Sequence, residues 1–302
     1  MAAASNIQRV AFIGLGKMGQ PIAAHVLKAG FPLTVWNRTP EKAQALIASG
    51  AALAQSPAEA VSRADIVVSS LIGDEAVLSV TTGKRGILAG LRPSAIHVGA
   101  STISPNASEK LERLHRRKSM HYIAGPVLGR PTAAEAGQLT TFLAGDPASI
   151  ERVRPVVTSY APTIVAVGEH PRLANVAKLF ANFLLVMSLD AIGQSLALAE
   201  KSGLDQKIAA QMLSGFFAHP ALKDYVTRIA AREFYPAGFD ITGGMKDVEL
   251  MIDAARDVEL KLTSAEAIRT KMRRALKSGL RGSDWSSFTE IDRRPASPGR
   301  SP

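Results

Sequence analysis

The chain has no cysteine among its 302 residues, which excludes disulfides and thiolate chemistry and leaves a zinc site only histidine and carboxylates. Its six histidines show no HxxxH or HxH spacing, so no metal centre is expected. Aromatics make up only 5%, and the two most basic stretches, KLERLHRRKSMH (110–121) and RTKMRRALKSGLRG (269–282), carry no interleaved aromatics and no nucleic-acid motif. The net charge of +10 is therefore read as solvated helix faces with an attraction for an anionic cofactor or substrate, and nucleic acid is not an expected partner. No long hydrophobic run is free of polar groups. The most apolar stretch, LFANFLLVMSLDAIGQSLALA, contains Asn182, Asp190 and Gln194, so no membrane span is expected. The opening MAAASNIQRV lacks a basic segment followed by an apolar one, which makes the cytoplasm the expected location.

What is present is an alternation. RVAFIG, PLTVWNR, ADIVVSSLI, AIHVGAS, HYIAGPV, LTTFLAG and TIVAVG are short, nearly continuous apolar runs separated in the first half by helical segments. That pattern predicts a doubly wound, mostly parallel α/β sheet with helices on both faces. From about Leu173 only helical periodicity remains. The expected organisation is a nucleotide-binding Rossmann domain over 1–170, an all-helical substrate and dimerisation domain over 171–293 entered through a long interdomain helix, and a disordered Pro/Ser/Arg tail over 294–302.

The first strand runs into VAFIGLGKMGQPIAAHVLKAG, where Gly14, Gly16 and Gly19 have GxGxxG spacing at a strand–helix junction. Gly14 permits the tight turn, Gly16 lets backbone approach a pyrophosphate, and Gly19 brings helix and strand together; the helix N-terminus then faces the anion. The second strand ends in VWNRTP. An NAD site usually places a carboxylate there to bind the ribose 2′-hydroxyl. Asn37, Arg38 and Thr39 instead offer no repulsion and one guanidinium, which suits the 2′-phosphate of NADPH.

Lys178 stands in the apolar first half of the long helix, with Asn175 three positions before it and Asn182 four after, all on one helical face. Two readings compete: a surface lysine snorkelling to water, or a catalytic ammonium held in a pocket. Its neighbours Val176, Ala177, Leu179, Phe180 and Ala181 are apolar, which favours the second. His97 and His121 fall on strand positions and are read as packing or hydrogen-bonded histidines. Asp247 beside Lys246 is read as orienting its loop, Asp65 as a turn residue, and His219 as a candidate for the substrate cleft.

Together these segments resemble the β-hydroxyacid dehydrogenase family, which includes 3-hydroxyisobutyrate dehydrogenase and the glyoxylate/succinic semialdehyde reductases. The resemblance runs from about Gln8 to Arg294. STISP (101–105) is similar to the family's Ser-Thr motif, GPVLGRPTAAEAGQL (125–139) to its substrate loop, Lys178 and Asn182 to its KxxxN, GFDITGGMKDVEL (238–250) to its Phe…Lys-Asp segment, and GSDWSSFTEIDRR (282–294) to its C-terminal ending. It implies Lys178 as the catalytic residue. It implies a cofactor set of Gly14, Leu15, Gly16, Met18, Gly19, Asn37, Arg38, Thr39, Leu71, Thr102 and Lys246. The implied substrate set is Ser101, Leu128, Gly129 and Asn182. The expected activity is NADPH-dependent reduction of a small aldehyde or keto acid by a homodimer or tetramer. Two departures stand out: Pro171 and Ala174 replace helix-entry glycines, and Leu128 replaces a serine that helps hold the substrate carboxylate. The second keeps open a reductase of a non-carboxylate ketone or imine; the basic surface leaves a third reading, a non-catalytic NADP-binding interaction module, against which Lys178 and Asn182 stand.

Overall fold

A computed structural model of the chain describes residues 8–216, 220–257 and 259–293. The expectations for His219 and for the tail 294–302 lie outside the described residues. The chain forms two compact units, Met1–Lys178 and Leu179–Pro302, so the division falls inside the long helix.

The first unit alternates strands and helices: β1 (Val10–Ile13), α1 (Gly19–Lys28), β2 (Leu33–Trp36), α2 (Gln44–Ala48), β3 (Ala52–Leu53), α3 (Pro57–Val61), β4 (Ile66–Ser69), α4 (Gly73–Thr82), α5 (Ile87–Gly90), β5 (Ile96–Gly99) and α6 (Pro105–Arg116). It continues with β6 (His121–Ala124), β7 (Val127–Leu128), α7 (Pro131–Glu135), β8 (Thr140–Ala144), α8 (Pro147–Thr158) and β9 (Thr163–Gly168). The strands make one nine-stranded sheet in the order β3-β2-β1-β4-β5-β6-β8-β7, with β9 paired to β8. Pairing is parallel from β3 through β6; β8 runs antiparallel to β6 and β7.

Side-chain alternation explains why both faces are covered. Phe12, Val35, Val68 and Val98 point to one face and pack with Ile22 and Val26 of α1 and Val153 and Val156 of α8. Ala11, Ile13 and Val67 point to the other, against Val61, Ile87 and Leu88. Each such buried Ile, Val or Phe contributes about 1.5–3 kcal/mol over an exposed one. The order reverses between β1 and β4, which opens a crevice at the carboxyl ends of these strands where ligands bind in doubly wound folds.

The second unit begins within α9 (Arg172–Lys201) and holds α10 (Gln206–Phe216), α11 (Pro220–Ala231), α12 (Ile241–Arg256) and α13 (Thr263–Lys277), closed by a 3₁₀ segment, Trp285–Asp292. Val186, Leu189, Ile192 and Leu196 of α9 form its core with Tyr225, Val226, Val248, Met251, Ile268, Met272 and Phe288. Trp285 donates its ring N–H to Tyr225 Oη at 2.7 Å. Gly193 is required by close approach: a Cβ there would lie 2.5 Å from Thr289 Cβ. Lys271 bridges Asp190 of α9 and Asp292, the latter at 2.8 Å, pinning three elements with one ammonium. By length and composition α9 is the one described helix that could cross a membrane, yet its apolar residues Val186, Leu189, Ile192 and Leu196 are core.

Candidate active site

The turn between β1 and α1 is built on glycine. Gly14 has φ +97°, and a Cβ on it would lie 2.3 Å from the Ser70 carbonyl oxygen. A Cβ on Gly19 would lie 2.0 Å from the Gly14 carbonyl oxygen, so helix and strand meet closer than any side chain permits. Gly16 differs: its Cβ would meet nothing within 4 Å, which leaves open backbone at the mouth of the turn. Met18 heads α1 without a side-chain cap, so its first-turn N–H groups suit an anion. Leu15 is buried beneath, and Met18 is half-buried. This cradle fits the pyrophosphate of a dinucleotide.

Asn37 holds the turn in place. Its Oδ1 accepts from Leu15 N–H at 2.9 Å, and its Nδ2 donates to Thr39 O at 2.8 Å. The carboxamide thus links the turn to the end of β2. Arg38 and Thr39 are exposed at that strand end, and among the described residues no ion pair involves Arg38. Its guanidinium is the group suited to a ribose phosphate.

The loops after β4 and β5 are laced together at the carboxyl end of these central strands. Leu71 N–H donates to Ser101 Oγ at 2.8 Å. Asp74, in the first turn of α4, accepts from Ser104 N–H at 2.8 Å and from its hydroxyl. Ser104 in turn caps α6 by accepting from Ala107 N–H, with Pro105 at the first helical position. Thr102 sits half-buried on this braced segment. Asp74 and Ser104 were not among the sequence-derived candidates; an acid opening the helix after β4 and a Ser-Pro start to α6 are the signals that point to them.

Below this end lies a buried histidine pair. His115 Nδ1 contacts the Leu111 carbonyl at 2.7 Å, so that nitrogen must carry the proton and Nε2 must accept. His97 Nδ1, 3.0 Å from that Nε2, is then a donor, and His97 Nε2 accepts from Ser69 Oγ at 2.8 Å. Both rings are neutral in this arrangement. Burial lowers His97 well below the ordinary histidine value, and burial likewise lowers His115 to about 4. His97 is a hydrogen-bonded core histidine, while His121 is half-buried on β6.

The long helix is inverted relative to an isolated surface helix. Asn175, Lys178 and Asn182 are buried, at 1%, 7% and 5% exposure, whereas Phe180 and Leu184 are 64% and 68% exposed. A snorkelling lysine would show the reverse. Ala174, where the family has glycine, is fully buried against Ile103, Tyr122 and Ala124 in an apolar cluster, so the first turn of α9 packs on the segment carrying Thr102. Within the second unit, Asn182 Nδ2 donates to Asp247 Oδ2 at 2.8 Å, and Lys246 Nζ pairs with Asp247 Oδ1 at 2.8 Å. Asp247, buried on α12, is therefore the hub that orients both Asn182 and Lys246.

Leu128 is half-buried on β7, paired with Thr140 of β8, and Gly129 follows at φ +142°. A Cβ on Gly129 would lie 2.5 Å from Leu139 Cδ2.

Comparison with known proteins agrees with this geometry. Residues 9–168 match the family described as the NAD binding domain of 6-phosphogluconate dehydrogenase, and residues 173–291 match the NAD-binding family of NADP-dependent 3-hydroxyisobutyrate dehydrogenase. The chain is 41% identical over 280 residues to an uncharacterized oxidoreductase, YfjR, of Bacillus subtilis, covering 93% of this chain and 98% of that one. It is 30% identical to glyoxylate/succinic semialdehyde reductase 1 of Arabidopsis thaliana, covering 93% and 97%. The solved structure of Mycobacterium tuberculosis 3-hydroxyisobutyrate dehydrogenase with L-serine superposes with a TM-score of 0.85 at 26% identity, over 95% of this chain and all of that one. With a dinucleotide cradle at the head of a doubly wound sheet, a helical second unit and relatives matched along nearly their whole length, the chain belongs to the β-hydroxyacid dehydrogenase family of NAD(P)-dependent oxidoreductases.

Proposed function

We propose that the chain is an NADPH-dependent reductase of a small aldehyde or keto acid, with Lys178 as the proton donor. The observation that carries this reading is the inverted α9, which buries an ammonium and two carboxamides while exposing Phe180 and Leu184. A buried ammonium flanked by two buried carboxamides on one face makes a polar site within an apolar helix, which supports chemistry at Lys178.

The bound nicotinamide supplies hydride to the substrate carbonyl. Negative charge then grows on the carbonyl oxygen, where the Lys178 ammonium stabilises it and delivers a proton. Asn182, its Nδ2 directed to Asp247, turns its Oδ1 the other way and fixes the polar face around that oxygen. In the oxidative direction the Lys178 amine takes the hydroxyl proton. Gly14, Gly16 and Gly19 would cradle the pyrophosphate and Leu15, Met18, Leu71 and Thr102 would line the cofactor, and the family motif assigns Lys246 to the cofactor as well.

Arg38 supports NADPH over NADH, since a guanidinium at the end of β2 recognises a 2′-phosphate. Ser101 and Gly129 belong to the substrate side. Leu128 supports a second reading of that side, a less polar or non-carboxylate carbonyl, because leucine cannot hydrogen-bond a carboxylate. The exposed apolar stripe of α9, Val176, Phe180 and Leu184, supports a homo-oligomer built through the helical half. The expected setting is the cytoplasm.

A substrate panel read by nicotinamide absorbance tests the function: glyoxylate, succinic semialdehyde, hydroxyisobutyrate, a simple ketone and a cyclic imine. Turnover of an aldehyde or keto acid with NADPH supports the reading. Turnover of the simple ketone alone moves it to the second reading, whereas turnover of the imine alone, or tight cofactor binding without turnover of any member, contradicts both.

A further inference from the structure

Among the described residues of α9, Asn175 is the one whose side-chain polar atoms are fully buried and unsatisfied. It is 1% exposed, and neither Nδ2 nor Oδ1 has a hydrogen-bond partner among the described residues. A carboxamide offers two donors and an acceptor oxygen, and native folds satisfy nearly all such groups when they bury them. Leucine has the same branched side-chain skeleton with bulkier methyl ends and would leave no polar group unsatisfied. A fold that keeps an orphaned amide there sacrifices stability, which calls for a compensating role at the position.

The position limits what that role is. Asn175 lies in the same compact unit as the glycine turn, in the first turn of α9. Its neighbour Ala174 packs on Ile103, the residue after Thr102. It is three residues before Lys178, one turn along the same face, or about 5 Å. Lys178 meets the oxygen of a carbonyl whose carbon must sit at the nicotinamide C4, and the ring carries its carboxamide on the adjacent C3. An amide pairs with another amide through two reciprocal N–H···O bonds. We infer that Asn175 contacts the cofactor by pairing with the nicotinamide carboxamide, fixing which face and edge of the ring is presented beneath Lys178. The inference rests on the proposed cofactor reading. Because the side chain is closed to solvent, the ring reaches it by displacing neighbouring side chains, and the pairing offsets that cost.

The test is binding rather than turnover. Asn175→Leu and Asn175→Asp are titrated with NADPH, with 2′,5′-ADP, which lacks the nicotinamide, and with the 3-acetylpyridine analogue, which has a methyl ketone in place of the amide. Thermal melting of each variant is measured alongside. The expected result is a folded Asn175→Leu with a melting temperature near that of wild type and 2′,5′-ADP affinity unchanged. NADPH affinity should fall roughly three- to tenfold, as for one lost neutral hydrogen-bonded pair. Wild type should prefer NADPH to the 3-acetylpyridine analogue, and Asn175→Leu should not. Should Asn175→Leu fail to fold, Asn175→Asp, which keeps the shape but removes the donors, carries the same comparison. A folded Asn175→Leu that binds NADPH and discriminates the analogue as wild type does overturns the inference. Failure of wild type to bind both NADPH and 2′,5′-ADP instead overturns the cofactor reading beneath it.

Discussion

Asp247 Oδ2 accepts from Asn182 Nδ2 at 2.8 Å while its other oxygen holds Lys246 Nζ at 2.8 Å, so one buried carboxylate orients the two residues that the family motifs assign to substrate and cofactor. Asp247→Asn keeps the shape but removes the charge and one acceptor. Misplacing such groups by an ångström costs about a hundredfold in rate, so kcat should fall roughly ten- to a hundredfold. NADPH affinity should also weaken, because Lys246 loses its partner. Unchanged kcat and cofactor affinity in a folded Asp247→Asn would show that the hub is structural only.

Arg38 stands exposed at the end of β2, beside an asparagine whose amide already bridges Leu15 and Thr39. Losing a charge-assisted contact to a 2′-phosphate costs ~1.5–3 kcal/mol. Arg38→Ala should therefore bind NADPH roughly ten- to a hundredfold more weakly and NADH almost as before. Equal losses for both cofactors, measured by fluorescence titration, would refute the phosphate assignment.

The Ser69–His97–His115 chain makes a statement about acid stability. Both histidines are held neutral by burial, with His115 lowered to about 4 from an ordinary value of 6.5. As pH falls below that ordinary value, the unfolded chain takes up protons that the native state refuses, so folding stability declines until the folded value is reached. Each unit of depression is worth about 1.4 kcal/mol. Urea midpoints should drop from pH 7 to pH 5, and His115→Gln should flatten that slope even if it lowers stability at pH 7. A slope untouched by the substitution would mean that other groups set it.

The apolar stripe of α9 bears on assembly. Phe180 and Leu184 are more exposed than a solvated helix in a lone chain would leave them. Phe180→Lys with Leu184→Lys should shift the light-scattering mass toward the monomer while leaving the first unit folded. A wild-type protein already monomeric at micromolar concentration would count against assembly through this helix.

Much of this was legible in the sequence because it rests on local rules. The GxGxxG turn, the run of apolar strands and the long helix each follow from short-range spacing, and Lys178 and Asn182 share a face by helical period alone. What escaped depends on partners distant in the chain. Asn182 and Asp247 are 65 residues apart, and the serine-histidine chain links β4, β5 and α6. The two-residue strands β3 and β7 carry no pattern of their own; ladder pairing with β2 and β8 makes them strands. Nor does spacing alone say that Asn37 serves the glycine turn, since its bond to Leu15 crosses from one strand end to the next.

The central claim is that Lys178 is buried because its ammonium meets the oxygen that becomes negative during hydride transfer. The most direct measurement is kcat for Lys178→Ala beside its NADPH dissociation constant. Removing one positioned proton donor costs roughly 10²–10⁴-fold in rate. The account predicts a loss of that size with near-normal NADPH affinity at the Gly14–Gly19 turn, and no rescue by Lys178→Arg, whose guanidinium does not release a proton. Retention by Lys178→Ala of more than about a tenth of the wild-type kcat, well outside the loss expected of a proton donor, would contradict it.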